Sequence, residues 1–249
     1  MRLQRGISII SMMVGLTISM IIVLAMMGLY KSTLQTTVLS KIGASQDGAR
    51  TAGFLSVQSS LQSAGFGLNT FVETTDFRLY TDAADDSISA PTAATLSTTV
   101  ATGNALFWRW VDASAAVNTC ALLYAPTGGG LKYFSKTGCT SPSGIWGATG
   151  IDLASASHWL VPPNVDPGKT APAGVVPNAV TISVNKTSAA GCVPFGIAAT
   201  VPAGATETTT ARFVVKLSML SSNAGTTGDT QFAQPSSTCL ANIHLAPTP

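Results

Sequence analysis

The feature that most constrains this chain is an uncharged stretch close to its amino terminus. It runs from Gly6 to Tyr30, is rich in Ile, Met, Leu and Val, and contains no proline. As a helix, residues 7–30 would span about 36 Å at roughly 1.5 Å per residue. The hydrocarbon core of a bilayer is about 30 Å thick. The stretch can therefore cross a membrane, and it exceeds the apolar region of about 7–15 residues in a cleaved secretory signal.

The flanks of this stretch predict its orientation. Arg2 and Arg5 precede it, and a long polar remainder follows it. Because basic residues favour the cytoplasmic side of a membrane, we expect the amino terminus to stay in the cytoplasm and the rest of the chain to be exported. The minimal interpretation is a plain signal anchor.

The residues RGISIISMMVGL at positions 5–16 allow a narrower interpretation. This segment resembles the leader junction of type IV prepilins, in which a basic leader ends in glycine and an apolar run follows. The resemblance implies that a prepilin peptidase cuts after Gly6 and methylates the new amino terminus at Ile7. It also implies residence in a bacterial inner membrane, followed by assembly into a surface pilus through contacts of the N-terminal helix with other pilins.

Two residues depart from the usual prepilin pattern. Ile7 stands where the family usually has phenylalanine, which is a mild change. Ser11 stands at the fifth mature position, where the family normally has a glutamate that offsets the terminal ammonium of a neighbouring subunit. An unpaired charge inside an apolar filament core is costly, and a serine hydroxyl cannot neutralise it. The resemblance therefore implies a subunit at the filament tip or in an initiating complex.

After Lys31 the pattern becomes amphipathic. One stripe, formed by Leu34, Val38, Ile42, Phe54, Val57 and Leu61, predicts that a continuous helix over 7–64 packs on a partner surface in the rest of the chain. The residues SLQSAGFG at 60–67 contain two glycines, which predict the end of the helix. This ending resembles the corresponding helix end of PilW-like minor pilins.

From residue 65 onward, short apolar runs alternate with clusters of Thr, Ala, Ser, Gly and Pro, which predicts a β-rich head. The predicted strands are 105–111, 120–125, 130–135, 157–161, 178–184 and 211–219. Gly128, Gly129 and Gly130 predict a hairpin turn between the second and third of these strands. Adjacent Phe107 and Trp108 should face opposite sides of their strand. The expected fold class is α+β, a pilin-like long helix on a disulfide-bonded head.

The four cysteines are all in the later part of the chain: Cys120, Cys139, Cys192 and Cys239. In an exported protein an even set of cysteines predicts disulfides. Three pairings are possible, and we favour the sequential one, because short closures are the simplest to satisfy. A metal site would need closely spaced pairs such as C-x-x-C, which the chain lacks.

Charge and motifs argue against several other functions. Without Arg2 and Arg5, the 13 Lys and Arg residues fall to 11, which equals the 11 Asp and Glu residues, so we expect no nucleic-acid partner. His158 and His244 are the only histidines and belong to no catalytic motif. We therefore expect no enzyme activity, no cofactor and no bound metal.

The sequence thus predicts three segments: a leader at 1–6, a long helix at 7–64 whose first part (7–30) is the transmembrane segment, and a head at 65–249. The leading hypothesis is a minor type IV pilin that takes part in assembly initiation or forms the tip, with a role in adhesion. A pseudopilin of a type II secretion system, which shares the helix, the leader and the β-rich head, is one alternative. A signal-anchored extracytoplasmic binding module is the other.

Overall fold

Helix α1 (Ile9–Leu61) is the longest element in the computed structural model, at 53 residues. The structure describes residues 9–85, 91–112, 116–146, 150–153, 158–163, 178–187, 192, 212–220, 233–240 and 242–243. Contacts divide the chain into two units, Met1–Ser45 and Gln46–Pro249. The described start of α1 leaves Gly6 and Ile7 outside the described residues.

The end of α1 is set by glycine, as the sequence predicts, although it comes three residues earlier than expected. Residues 62–67 form a turn in which Gly65 and Gly67 have positive φ angles of 78° and 69°. Such angles favour glycine, because they bring a Cβ atom close to the backbone. The turn is held by strand β3, since Gly65 N–H donates to the Arg109 carbonyl at 2.9 Å and Val111 N–H donates to the Phe66 carbonyl at 2.9 Å.

Within the described residues, nine strands follow, together with a short helix α2 (Glu73–Asp76) and one 3-10 turn (Pro142–Gly144). The strands are β1 (Phe77–Tyr80), β2 (Ala101–Gly103), β3 (Ala105–Asp112), β4 (Val117–Tyr124), β5 (Leu131–Thr137), β6 (Trp159–Val161), β7 (Val180–Thr187), β8 (Arg212–Leu220) and β9 (Ala233–Cys239). They form two antiparallel sheets. Sheet A has the order β1-β3-β4-β5-β6 and sheet B the order β2-β7-β8-β9. The α+β class is therefore confirmed.

All six predicted strands are present, and the predicted hairpin joins β4 to β5. Gly129 and Gly130 lie in its turn with φ angles of 90° and 87°. Three strands were not predicted: β1, β2 and β9. The first two are only four and three residues long, which leaves little periodicity to detect.

The main core lies between α1 and the inner faces of the two sheets. From α1 it receives Phe54, Val57 and Leu61, which pack with residues such as Trp108 of sheet A and Phe213 of sheet B. These three helix residues are buried, as the amphipathic pattern predicts.

The prediction of one continuous buried stripe is wrong for the earlier helix positions. Leu34 and Val38 are 46% and 54% exposed, and the side chain of Ile42 lies outside the described residues. A spacing of four residues rotates by about 40° at each step of an α-helix, so such positions drift off one face. The stripe that contacts the head begins at Phe54.

A second, smaller core covers the other face of sheet A. Phe107, Leu122 and Phe134 point to this side, where Ile145 and Trp146 of the segment after β5 pack over them. Phe107 and the neighbouring Trp108 therefore face opposite sides of β3, as predicted.

Each sheet carries one disulfide. Cys120 of β4 bonds to Cys139, and Cys239 of β9 bonds to Cys192. This is the sequential pairing favoured from the sequence. Cys120 and Cys139 belong to the smaller core, so their bond fixes the segment that covers sheet A.

Candidate functional site

The apolar half of α1 exposes a long hydrophobic surface. From Ile9 to Tyr30, the exposed fraction of the large hydrophobic side chains ranges from 49% at Ile22 to 79% at Ile9. Soluble monomers rarely expose contiguous apolar patches beyond a few hundred Å². The helical segment Ile9–Val38 is long and apolar enough to cross a membrane. Its surface therefore requires apolar surroundings, either lipid or other apolar helices.

The polar side chains in this part of α1 suit such surroundings. Thr17 Oγ1 donates to the Val14 carbonyl at 2.9 Å, and Thr33 Oγ1 donates to the Leu29 carbonyl at 2.9 Å. A hydroxyl that bonds back to its own helix does not remain an unpaired donor when it is taken out of water. The first charged residue after Ile9 is Lys31, directly after the exposed Tyr30. A tyrosine followed by a lysine is typical of the boundary between lipid and water.

Ser11 lies in the first turn of the described helix, and its side chain is exposed. No acidic residue lies in that first turn. The positions predicted for processing, Gly6 and Ile7, precede the described residues. The four cysteines that were predicted to form disulfides lie in the head, far from Ser11 in sequence. They form the pairs Cys120–Cys139 and Cys192–Cys239.

The second half of α1 is fixed to the head by polar contacts as well as by the core. The hydroxyl groups of Ser60 and Tyr133 share a hydrogen bond of 2.9 Å. Gln58 Nε2 donates to Ser236 Oγ of β9 at 2.7 Å. These bonds attach the helix to both sheets, since Tyr133 is in β5 and Ser236 is in β9.

A buried ion pair holds the chain after α1 against sheet A. Asp76 is 1% exposed, and its Oδ1 accepts from Arg109 Nε at 2.8 Å and lies 2.6 Å from Arg109 Nη2. The other carboxylate oxygen accepts from the Val72 backbone N–H at 2.7 Å. Arg109 also donates to Asn118 Oδ1 at 3.0 Å. Sequence reasoning missed this network, because 33 positions separate the two charges and no local pattern links them.

A buried lysine links two loops to β5. Lys132 Nζ donates to the Leu153 carbonyl and lies 3.4 Å from Asp85 Oδ1, with the ring centroid of Trp159 at 4.6 Å. The side chain of Lys132 is 3% exposed. Its charge is thus satisfied by a carbonyl, a carboxylate and an aromatic face, an arrangement that stabilises the head.

Burial raises the pKa of two tyrosines in the head. For Tyr133 the opposing effect is its hydrogen bond with Ser60, and for Tyr80 it is chiefly the neighbouring indole of Trp146, whose ring contacts Tyr80 edge-on. In contrast, the side-chain and backbone hydrogen bonds from Thr92 lower the pKa of the exposed Asp82. Arg78 also acts to lower the pKa of Tyr80, but burial is the largest effect on both tyrosines, so these shifts reflect packing.

Asp82 and His158 contact other residues of the head. Asp82 accepts from the backbone and hydroxyl of Thr92 at 2.6 and 2.7 Å. His158 stacks on Phe134 with ring centroids 4.7 Å apart, while His244 is outside the described residues. Within the described ranges, no three His, Cys, Asp or Glu side chains are grouped so that they could hold a metal ion.

The described geometry therefore presents one feature that demands a partner, the exposed apolar surface of α1, on a chain that also carries a disulfide-bonded head. Comparisons with protein-family models, with curated proteins and with solved structures find no match.

Proposed function

We propose that this chain is a minor type IV pilin, a structural subunit that takes part in pilus assembly at initiation or at the tip. The observation that carries the proposal is the exposed apolar segment Ile9–Val38, which belongs to the same helix that ends in the core of a β-rich head. A subunit of this design can be stored in the inner membrane and later transferred to a filament, because both environments cover the same apolar surface.

Processing at the amino terminus forms part of the proposal. A prepilin peptidase removes residues 1–6 and methylates Ile7, which leaves the apolar helix at the start of the mature chain. The resemblance of positions 5–16 to a prepilin junction supports this step, and so does the uncharged sequence from Ile9 to Tyr30.

Ser11 supports a position at the tip or in an initiating complex. A subunit in the middle of a filament must balance the terminal ammonium of a neighbour within apolar surroundings, where an uncompensated charge costs several kcal/mol, on the order of 3–5. Ser11 supplies no charge, and the first turn of the described helix holds no acidic residue. A subunit with no neighbour ahead of it needs no such carboxylate.

The disulfides of the head are consistent with a location outside the cytoplasm. Both bonds persist in an oxidising compartment. By a loop-entropy argument the bond that spans 19 positions contributes about 3 kcal/mol and the bond that spans 47 about 4 kcal/mol. The head is the part of the subunit that an assembled filament displays, so adhesion is the role that we assign to it.

The test is intact-mass and amino-terminal analysis of the protein taken from membranes and from sheared surface filaments. We expect a mature chain that begins at methylated Ile7 and is present in the sheared fraction. A processed chain that is absent from filaments and required for protein secretion would instead identify a type II secretion pseudopilin. An uncut chain confined to membranes would refute the pilin proposal and leave a signal-anchored binding module.

A further inference from the structure

The face of sheet B that points away from the main core differs from every other sheet surface of the head. Ile182, Val184, Val215 and Leu217 point into the core. Side chains alternate along a strand, so the residues between them form the opposite face, here called the outer face of sheet B. It includes Thr102, Thr181, Ser183, Arg212, Lys216 and Ser237.

The exposed part of this outer face is polar. Thr102, Thr181, Lys216 and Ser237 are exposed. The corresponding face of sheet A is apolar and is covered by Ile145 and Trp146. On sheet B, Ser183 is buried among the residues of the outer face, and its hydroxyl donates to the Lys216 carbonyl at 3.2 Å. Because the exposed members are polar, the outer face of sheet B is not a core that lacks its cover.

The register aligns hydroxyl groups on both sides of one ammonium group. Thr102 pairs with Ser183, Ser183 pairs with Lys216, and Lys216 pairs with Ser237. These four residues thus form a straight row across all four strands, with steps of about 4.8 Å. The exposed hydroxyls of Thr102 and Ser237 can each donate and accept a hydrogen bond, whereas the ammonium only donates.

Two cations on β8 give this face its charge. Arg212 and Lys216 are four residues apart on the same side of the strand, which separates them by about 13 Å. No ion pair forms at either residue within the part of the chain that the structure describes, and Arg212 Nε is buried without a hydrogen-bond partner there. The strands of sheet B contain no Asp or Glu. The face thus presents positive charge that no carboxylate on its own strands offsets.

We propose that the outer face of sheet B binds an acidic polysaccharide. A flat row of hydroxyls matches the hydroxyl groups of a sugar chain, and two separated cations match the carboxylates that such a chain carries at intervals. A single-stranded nucleic acid would require stacked aromatic side chains and a denser set of cations. Phe213 is the only aromatic residue in the four strands, and it points into the core. The inference depends on the head alone and goes beyond the proposed filament function.

The experiment measures binding of the full chain, purified in detergent micelles, to immobilised polygalacturonate, with neutral dextran and single-stranded oligothymidylate as comparison probes. The variants are Lys216→Gln and Arg212→Gln, which remove one positive charge each. Lys41→Gln removes an equal charge from an exposed position on α1 and is the matched control. Lys216→Arg restores the charge and tests whether the cation itself is needed.

We expect polygalacturonate binding to fall roughly tenfold in Lys216→Gln, to fall in Arg212→Gln and to be retained in Lys216→Arg and Lys41→Gln. Binding should also weaken as salt is added, and dextran should bind less than polygalacturonate. Equal loss in Lys41→Gln, or no loss in either Gln variant of β8, would overturn the proposal. Tighter binding of oligothymidylate than of polygalacturonate would overturn it in favour of a nucleic-acid surface.

Discussion

The hydroxyl groups of Ser60 and Tyr133 lie 2.9 Å apart, although 73 positions separate the two residues in sequence. This bond crosses the boundary between α1 and sheet A, at a place where apolar packing from Leu61 and Trp108 surrounds it. A polar contact in such a place fixes the rotation of the helix about its axis, because a helix turned by one residue would leave the tyrosine hydroxyl without this partner.

Tyr133 predicts how stability depends on alkaline pH. Burial raises its folded-state pKa above the usual tyrosine value of 10.0, so above that pH the unfolded chain releases a proton that the folded chain keeps. The contribution of Tyr133 to stability should be constant below pH 10 and fall as the pH rises past it. Tyr133→Phe removes this contribution, so the stability difference between wild type and variant, about 1 kcal/mol in favour of wild type at neutral pH, should shrink. Urea unfolding at neutral pH and above pH 10 measures both. A difference that grows with pH would contradict the prediction.

Because Asp76 and Arg109 form a buried ion pair, we expect that replacing Asp76 by the similarly shaped asparagine will strongly lower stability. Asp76→Asn leaves a largely buried guanidinium without its carboxylate, and we expect a loss of about 3 kcal/mol in the free energy of unfolding. Glu73→Gln is the control, because its ion pair with Lys186 is partly exposed and should contribute less than about 1 kcal/mol. Chemical denaturation of both variants tests this prediction. Equal losses in the free energy of unfolding would show that the buried ion pair of Asp76 contributes no more to stability than the partly exposed one of Glu73.

The close packing around Gly103 predicts that adding a single methyl group there will lower stability. A Cβ atom there would lie only 2.3 Å from the Tyr80 carbonyl oxygen and 2.8 Å from Leu79 Cγ, so the two sheets would have to shift at their junction. We expect Gly103→Ala to lower stability by about 1–3 kcal/mol. Gly128→Ala is the matched control, since nothing lies within 4 Å of its added Cβ. Thermal unfolding measures the difference, and a Gly103→Ala variant as stable as Gly128→Ala would disprove the close approach.

Under the proposed pilin function, Ser11 predicts where the chain is found in a filament. If the lack of a carboxylate restricts it to the tip, Ser11→Glu should increase its copy number and distribute it along the whole length, because the new charge can offset a neighbour's ammonium. Ser11→Gln has a similar size but no charge, and it should leave the copy number low. Quantitative immunoblots and immunogold labelling of sheared filaments report both quantities. Unchanged copy number and position in Ser11→Glu would reject the charge-balance explanation.

Local pattern was enough to predict much of this fold. The apolar run and the glycines at 65 and 67 predicted α1 to within three residues at its carboxyl end. Alternation of apolar and polar residues predicted strands β7 and β8, because each has one face in the core. The same alternation placed Phe107 and Trp108 on opposite sides of β3.

Strand β9 could not be predicted in this way. Its sequence, AQPSSTC, has little apolar character and contains Pro235. It is a strand because seven consecutive residues pair with β8, and it tolerates the proline because it is the edge of sheet B. Pairing with β8 therefore determines the conformation of β9, and the sequence of β9 alone does not predict a strand.

The candidate site was predictable only in part, for a related reason. The apolar surface of α1 follows from composition and can be read directly from the sequence. The row from Thr102 to Ser237 depends on the register of four strands that lie far apart in the chain, one of which has three residues. Serine, threonine and lysine are also common in surface loops, so their types alone do not indicate a shared face.

The disulfides also determine how this chain would respond to mechanical load. Neither bond joins α1 to a sheet, so a pull on the helix is resisted by the packing of Phe54, Val57 and Leu61 and by a few hydrogen bonds. If that packing yields, the bond that spans 47 positions withholds roughly 160 Å of chain from extension, and the bond that spans 19 withholds about 65 Å. The head would thus lengthen far less than a chain of its size without cross-links, and it could refold from a limited extension once the force is released.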